Sequence, residues 1–200
     1  RRHIAVNSNL LTRIVNDTDR DHACIIIAPQ CPDNQQWVDT PWGNGSYSLD
    51  SVPQSKQLAA AMKLVDEVTG SYAVDEDRMY VAGISMGGYG TWDTILRYPD
   101  KFAAAIPVCG AGDPTKADRI KEMPIRAFHS SDDGTVPVSG TREMVAALRQ
   151  LGSDINYKEY TNAGHGSWQP AFEEPDLVDW LFTQKQTQPA SSMTEVRDPA

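Results

Sequence analysis

The sequence lacks the residue patterns that bind metals, dinucleotides or phosphate groups. Its three cysteines are odd in number and have no C-x-x-C spacing, so neither a disulfide framework nor a zinc site is predicted. It contains no phosphate-binding loop and no dinucleotide fingerprint, and we therefore expect no cofactor and no metal. No apolar run approaches the roughly 20 residues of a membrane span, and no charged-then-apolar leader precedes the domain. We expect a soluble protein, and the sequence leaves export open.

Positive charge is also scarce. The chain has 18 Lys and Arg residues against 27 Asp and Glu residues, which gives a net charge of −9. This charge repels nucleic-acid phosphates and anionic lipid surfaces, so we expect neither nucleic acid nor a membrane as a partner. The apolar content of 40% across 200 residues suits one globular domain. We predict that this domain covers residues 1–185 and that the polar residues 186–200 form a disordered tail.

Strand-like and helix-like patterns alternate along the chain. The predicted strands, most of them continuous apolar runs, lie at residues 24–28, 79–83, 102–109, 125–129 and 155–160. Helical spacing predicts helices that begin near residues 51, 86, 138 and 177. Apolar strands between helices are typical of an α/β protein whose mostly parallel sheet is covered by helices on both faces. In such sheets, binding sites form beyond the carboxyl ends of the strands.

The run V-A-G-I-S-M-G-G-Y-G from Val81 places a G-x-S-x-G motif between a predicted strand and a predicted helix. Gly83 and Gly87 have no Cβ, so strand and helix can approach closely while Ser85 occupies a strained turn with its hydroxyl exposed. This pattern predicts a nucleophile elbow; the alternative is a tight connection with an idle serine. The N–H of Met86 would then point at negative charge on a bound carbonyl oxygen, as an oxyanion-hole donor.

Two other strand ends supply the groups that a nucleophilic serine requires. Asp133 follows the predicted strand 125–129, and His165 lies between two glycines after the last strand. An imidazole takes the serine proton and returns it to the leaving group, and a carboxylate fixes its tautomer. Asp132 competes with Asp133, which we prefer because it lies four residues before Pro137, a spacing that resembles that of related proteins. His129 ends a strand, where we expect a structural role.

Four segments in order give the sequence a family resemblance. They are A-P-Q-C-P from Ala28, the elbow, H-S-S-D-D-G-T-V-P from His129 and G-H-G-S-W from Gly164. Together they resemble the α/β-hydrolase superfamily, and within it bacterial esterases grouped with predicted peptidases, polyhydroxyalkanoate depolymerases and feruloyl esterases. The resemblance implies the three-layer α/β-hydrolase fold, a serine carboxylesterase activity and an ester substrate, either a small molecule or linked to a polymer.

The same resemblance assigns individual residues. It implies Ser85 as nucleophile, Asp133 as the acid member and His165 as base, and it places Gln30, Trp37 and Trp168 around the substrate. Trp37 lies in a long irregular loop at residues 33–49, where tryptophans either line a pocket or cap the core edge. The residues alone leave these two interpretations open.

The sequence departs from the family pattern at its start. Relatives carry an upstream apolar strand that ends in a His-Gly segment and supplies the second oxyanion N–H, whereas this sequence begins at Arg1 without such a run. Either the domain is N-terminally incomplete, so that its open sheet edge can associate with a missing N-terminal segment or a second chain, or another arrangement fills the gap. Two further hypotheses are a peptidase of the prolyl-oligopeptidase type and a non-catalytic module derived from a hydrolase.

Overall fold

A four-stranded parallel sheet forms the centre of the structure, a computed structural model that describes residues 9–186. The strands β1 (Tyr80–Ile84), β2 (Ala104–Val108), β3 (Arg126–Ser130) and β4 (Asn156–Tyr160) lie side by side in that order. All three strand pairs are parallel. The carboxyl ends of all four strands therefore lie along one rim of the sheet.

Helices cover both faces of this sheet. They are α1 (Asn9–Val15), α2 (Lys56–Ser71), α3 (Met86–Arg97), α4 (Val138–Gln150), α5 (Trp168–Phe172) and α6 (Leu177–Thr183). On one face, Trp92 of α3 and Met144 of α4 belong to the same buried cluster. On the other face, α1, α5 and α6 pack against β2 and β3. These three layers confirm the predicted fold class. No helix within residues 9–186 is long and apolar enough to cross a bilayer.

The start of α2 differs from the prediction, which placed it at Ser51. The helix begins five residues later, at Lys56, because Ser55 is its N-cap. The Ser55 side chain accepts a hydrogen bond from the N–H of Leu58 at 3.1 Å, which satisfies one of the free donors at the helix start. The short helix α5 and a 3₁₀ helix at Pro114–Ile120 were not predicted, since neither is long enough to show a clear period.

The predicted buried strand at residues 24–28 is wrong. This segment has no strand conformation; Ile25 and Ile26 are 53% and 40% exposed, and Cys24 is exposed rather than buried. A strand needs a neighbour for its N–H and C=O groups, and within residues 9–186 the sheet ends at β1. The apolar run is therefore present without the neighbour that would bury it. Association of another segment or chain with this edge stays a prediction, and the predicted tail lies largely outside the described residues.

The start of α3 lies very close to β1 and β2, and glycines allow this approach. A Cβ added at Gly83 would lie 2.2 Å from the Gly87 oxygen, and one at Gly88 would lie 2.2 Å from the Val108 oxygen. A Cβ added at Gly87, in contrast, would meet nothing within 4 Å. The prediction that Gly83 permits close packing is correct, whereas the second essential position is Gly88 and not Gly87.

These two adjacent glycines provide a matched pair of substitutions. We expect Gly88→Ala to lower the free energy of unfolding by about 3 kcal/mol or more, because the added methyl group collides with backbone that cannot move independently. We expect Gly87→Ala, which points into open space in the same helical turn, to change it by no more than about 1 kcal/mol. Urea unfolding followed by circular dichroism measures both. Equal losses in the two variants would contradict the packing described.

Candidate active site

Ser85 occupies a sharp turn between β1 and α3. Its backbone angles are φ 54° and ψ −117°, a conformation that a residue with a Cβ rarely adopts. The Ser85 N–H donates to the Val108 oxygen at 3.0 Å, which ties the turn to β2. Because α3 begins at Met86, the N–H of Met86 is one of the donors at a helix start that have no acceptor within the helix. The local geometry is that of a nucleophile elbow.

His165 reaches Ser85 from the loop that follows β4. It lies in a single 3₁₀ turn, Gly164–Gly166. A tight bend leads into this turn, with φ 62° at Asn162 and φ 54° at Gly164, the first residue of the turn. Nε2 of His165 lies 2.8 Å from Oγ of Ser85. The His165 and Trp168 rings also pack at right angles to each other, with their centroids 5.4 Å apart. The bend and the tryptophan together aim the imidazole at the serine.

Asp133 completes the group from the loop that follows β3. Its Oδ2 lies 2.8 Å from Nδ1 of His165, and its Oδ1 accepts hydrogen bonds from the N–H groups of Thr135 and Val136 at 2.9 and 3.0 Å. The Asp133 side chain is fully buried. Burial by itself would raise the pKa of this carboxyl group, but the hydrogen bonds from His165 and the two backbone N–H groups outweigh it and lower the pKa. Asp133 is therefore held as an ionised acceptor behind the imidazole.

The neighbouring Asp132 has a different place. Its side chain is exposed, and its Oδ1 accepts hydrogen bonds from Oγ of Ser130 and from the N–H of Gly164, the latter at 3.1 Å. These contacts hold the loop that carries His165 and do not involve the imidazole. The geometry thus distinguishes the two acids that compete in the sequence, with Asp133 in contact with the ring.

Cys109 also contacts the loop that carries His165, and no sequence pattern indicated this contact. This buried residue follows β2 with φ 42°, and its Sγ lies 3.9 Å from the His165 carbonyl oxygen. Burial raises the pKa of its thiol to about 12, so the group is protonated. One atom each of Cys109, Asp133 and His165 lie within 4.8 Å of one another, a grouping that could hold a metal ion. Since Asp133 and His165 already bind each other, the hydrogen-bonded arrangement accounts for this cluster.

The three predicted substrate-binding residues have different surroundings. Trp168 contacts His165, as described above. Trp37 packs on α3 one turn beyond Ser85, and a Cβ added at Gly90 would lie 3.0 Å from its side chain. Trp37 also packs against a small buried cluster under the long loop. Gln30 is exposed, and its side-chain amide donates to the Cys31 oxygen at 3.2 Å. Substrate binding by these residues stays a prediction, and Trp37 is at least in part a packing residue.

Buried polar contacts fix the long loop to α3. Tyr47 donates its hydroxyl proton to Asp93 at 2.8 Å, and Arg97 donates to the same carboxylate at 2.6 Å. Arg97 also donates to the Val52 oxygen at 2.6 Å. The hydroxyl of Tyr89 donates to the Trp42 oxygen at 2.9 Å. The helix that positions Ser85 therefore also positions the aromatic loop beside it.

The structure combines the features that define the α/β-hydrolase fold. It has a parallel sheet with helices on both faces, an elbow serine after β1, an acid after β3 and a histidine after β4. Comparison with known proteins agrees with this class. A sequence model of the prolyl oligopeptidase family matches residues 49–127. The crystal structure of a thermostable esterase is 38% identical, with a TM-score of 0.70, and the match covers 78% of this chain and 43% of that one. The chain therefore has the α/β-hydrolase fold.

Curated relatives are more distant. A SOBER1-like protein of Arabidopsis thaliana, described as a probable carboxylesterase, is 26% identical over 78% of this chain and 62% of its own. A bifunctional acetylxylan esterase/xylanase of Neocallimastix patriciarum is 24% identical over 65% of this chain and 21% of its own. The chain thus spans less than two thirds of the length of these relatives, and as little as 17% of another.

The lowered pKa of Asp133 predicts a pH-dependent contribution to stability. Because the folded-state pKa lies below the ordinary value of 3.8, the ionised carboxylate stabilises the fold above about pH 4, and this contribution is lost as the pH falls through the folded-state value. Asp133→Asn removes the charge and places an amide N–H₂ against an imidazole N–H. We expect this variant to lose about 2 kcal/mol of unfolding free energy at pH 7, and progressively less below pH 4.

Urea unfolding at pH 7 and pH 3 measures this difference. Asp132→Asn is the matched control, because it makes the same change in the exposed neighbouring carboxylate, and we expect it to retain most of the stability at pH 7. An Asp133→Asn deficit that is equally large at pH 3 would show that the ionised state does not stabilise the fold.

Proposed function

We propose that this protein is a serine carboxylic-ester hydrolase that works through an acyl-enzyme on Ser85. The observation that carries the proposal is the continuous chain of contacts in which Ser85 Oγ lies 2.8 Å from His165 Nε2, and His165 Nδ1 lies 2.8 Å from Asp133 Oδ2. Both contacts have hydrogen-bond length, so His165 can take the serine proton while Asp133 orients its ring. The strained turn directs the serine hydroxyl away from the backbone towards the rim where substrates bind.

The proposed reaction has two halves. Oγ of Ser85 attacks the ester carbonyl carbon while Nε2 of His165 takes the hydroxyl proton, and the negative charge on the carbonyl oxygen faces the N–H of Met86. The tetrahedral intermediate collapses, the alcohol leaves with the proton from His165, and the acyl group stays on Ser85. A water molecule then gives its proton to His165 and attacks the acyl carbon. The carboxylic acid is released, and the proton returns to Ser85.

The relatives support an ester as the substrate class. Those of known description include a thermostable esterase, a SOBER1-like protein described as a probable carboxylesterase, and an acetylxylan esterase/xylanase. The chemistry is consistent with this choice, because an alcohol leaves the tetrahedral intermediate more readily than an amine does.

Replacement of the nucleophile tests the proposal directly. We expect Ser85→Ala to lower the rate of aryl acetate hydrolysis by about 10⁴-fold or more, because the acyl-enzyme can no longer form. Ser131→Ala, at an exposed serine beside the acid member, is the matched control and should retain the activity. A fluorophosphonate probe followed by mass spectrometry should label Ser85 in the unmodified protein. Failure of the unmodified protein to react with this probe would favour a non-catalytic module derived from a hydrolase.

A peptidase is the second candidate, because the prolyl oligopeptidase family matches residues 49–127. The same three side chains would attack an amide, whose amine leaving group needs a proton from His165 more urgently than an alcohol does. Matched ester and anilide substrates with the same acyl group separate the two functions. We expect kcat/KM for the ester to exceed that for the anilide by at least about 10²-fold, because an alcohol leaves more readily than an amine. A ratio near one would favour the peptidase.

A further inference from the structure

The Asp133 carboxylate contacts a second imidazole besides that of His165. His129, the fourth residue of β3, is fully buried, and its Nε2 lies 3.2 Å from Oδ2 of Asp133, the same oxygen that Nδ1 of His165 contacts at 2.8 Å. We propose that His129 is a positioning residue of the active site, which donates an N–H to Asp133 and thereby sets how much negative charge this carboxylate presents to His165. This inference rests on the proposed hydrolase function and goes beyond the structural role expected for His129.

The hydrogen-bond partners of His129 determine which ring nitrogen carries a proton. Nε2 faces two acceptors, the Asp133 carboxylate and the Val136 carbonyl oxygen, the latter at 3.1 Å. Neither acceptor can donate at these positions, so the proton between them must come from Nε2. On the other side, Nδ1 lies 2.7 Å from Oγ1 of Thr141, whose own proton goes to the Gly110 carbonyl oxygen. All the groups that face the two ring nitrogens are therefore acceptors, and only protons on the ring can occupy these contacts.

Thr141 indicates why this arrangement is rigid. Its hydroxyl also lies 2.7 Å from the Gly110 carbonyl oxygen, to which it donates. Three successive contacts thus link the end of β2 to helix α4, strand β3 and the acid member. They join Gly110 to Thr141, Thr141 to His129, and His129 to Asp133. The side chains of His129 and Asp133 are both fully buried, so water does not compete for these contacts.

Charge sharing gives the contact a chemical consequence. An N–H from His129 on Oδ2 of Asp133 withdraws negative charge from the oxygen that stabilises protonated His165. Burial lowers the pKa of the His129 imidazole, and the Asp133 carboxylate acts in the opposite direction. The partner of His129 in the β3–β4 register is Glu159, whose carboxylate is ion-paired with Arg142 of α4 through hydrogen bonds of 2.6 and 2.9 Å. Asp133 is therefore the anion that His129 affects.

The test compares two replacements of His129. Asn occupies the position of Nδ1 and lacks a donor to Asp133, whereas the longer Gln places its amide N–H₂ near the position of Nε2. We expect His129→Asn to lower kcat roughly tenfold with KM unchanged, and to move the acid limb of the kcat/KM profile upwards by about half a pH unit, because Asp133 then holds more charge. His129→Gln should restore both values towards those of the unmodified enzyme.

His22 supplies the matched control. Its Nδ1 lies 2.7 Å from Oδ2 of Asp17, so it is also an imidazole paired with a carboxylate, but it packs on Phe182 of α6, away from the triad. We expect His22→Asn to lower stability without moving the acid limb. A His129→Asn enzyme whose kcat and acid limb equal those of the unmodified protein would overturn the positioning role.

Nitrogen-15 NMR of the histidine rings gives a readout that needs no turnover. In the unmodified protein at neutral pH, Nε2 of His129 should be protonated, and the proton on Nδ1 of His165 should change its chemical shift in His129→Asn. An unprotonated Nε2, or a His165 signal that does not respond, would overturn the inference even if the protein hydrolyses esters. If the NMR result is as expected but the protein has no hydrolase activity, the proposed function is rejected, whereas the contact between His129 and Asp133 stands.

Discussion

The close approach of α3 to β1 and β2 is the constraint on which the rest of the site depends. A Cβ at Gly83, Gly88 or Gly110 would lie 2.2 to 2.4 Å from backbone atoms of the opposing element, so these positions admit no side chain. The approach leaves the connection between β1 and α3 too short for a relaxed turn. Ser85 consequently takes its positive φ, and the packing of α3 over the sheet stabilises that strained conformation.

A buried negative charge is the second centre of the site. The Asp133 carboxylate lies at the meeting point of β3, the loop after β4 and the start of α4, where isolated charge would be strongly unfavourable. Four donors face it: the imidazoles of His165 and His129 and the N–H groups of Thr135 and Val136. The hydrogen bonds from these donors keep the carboxylate ionised. Because the donors come from different segments, the carboxylate also joins the segments that form the candidate site.

Much of the candidate site could be predicted from the sequence, because each of its three side chains follows a strand. Parallel strands bring their carboxyl ends to one rim, so Ser85, Asp133 and His165 converge although 80 residues separate the first from the last. The choice of Asp133 over Asp132 came from the resemblance to related hydrolases, and in the structure Asp133 contacts the His165 ring. The role of His129 was harder to foresee, since a histidine at a strand end gives no indication of what its ring contacts. The close contact of Gly88, rather than Gly87, depends on which side of the helix faces β2.

The segment at residues 24–28 shows the opposite case. Its composition is that of a buried strand, yet Ile25 and Ile26 are exposed. Apolar composition expresses only a preference for burial, whereas a strand forms only where another strand accepts its hydrogen bonds. The same reasoning applies to the aromatic loop. Its tryptophans are visible in the sequence, but the contacts of Tyr47 and Arg97 with Asp93 decide where the loop lies.

By itself, the sequence determined the four strands of the sheet, the elbow around Ser85, and the loops that carry His165 and the acidic pair Asp132 and Asp133. These features follow from local periodicity, glycine placement and the parallel direction of the strands. Tertiary structure alone decided which glycine contacts β2, which ring nitrogens face Asp133, and that the apolar run at residues 24–28 has no partner strand among residues 9–186. Contacts of this kind depend on distances between segments far apart in the chain, and residue types along the chain do not specify those distances.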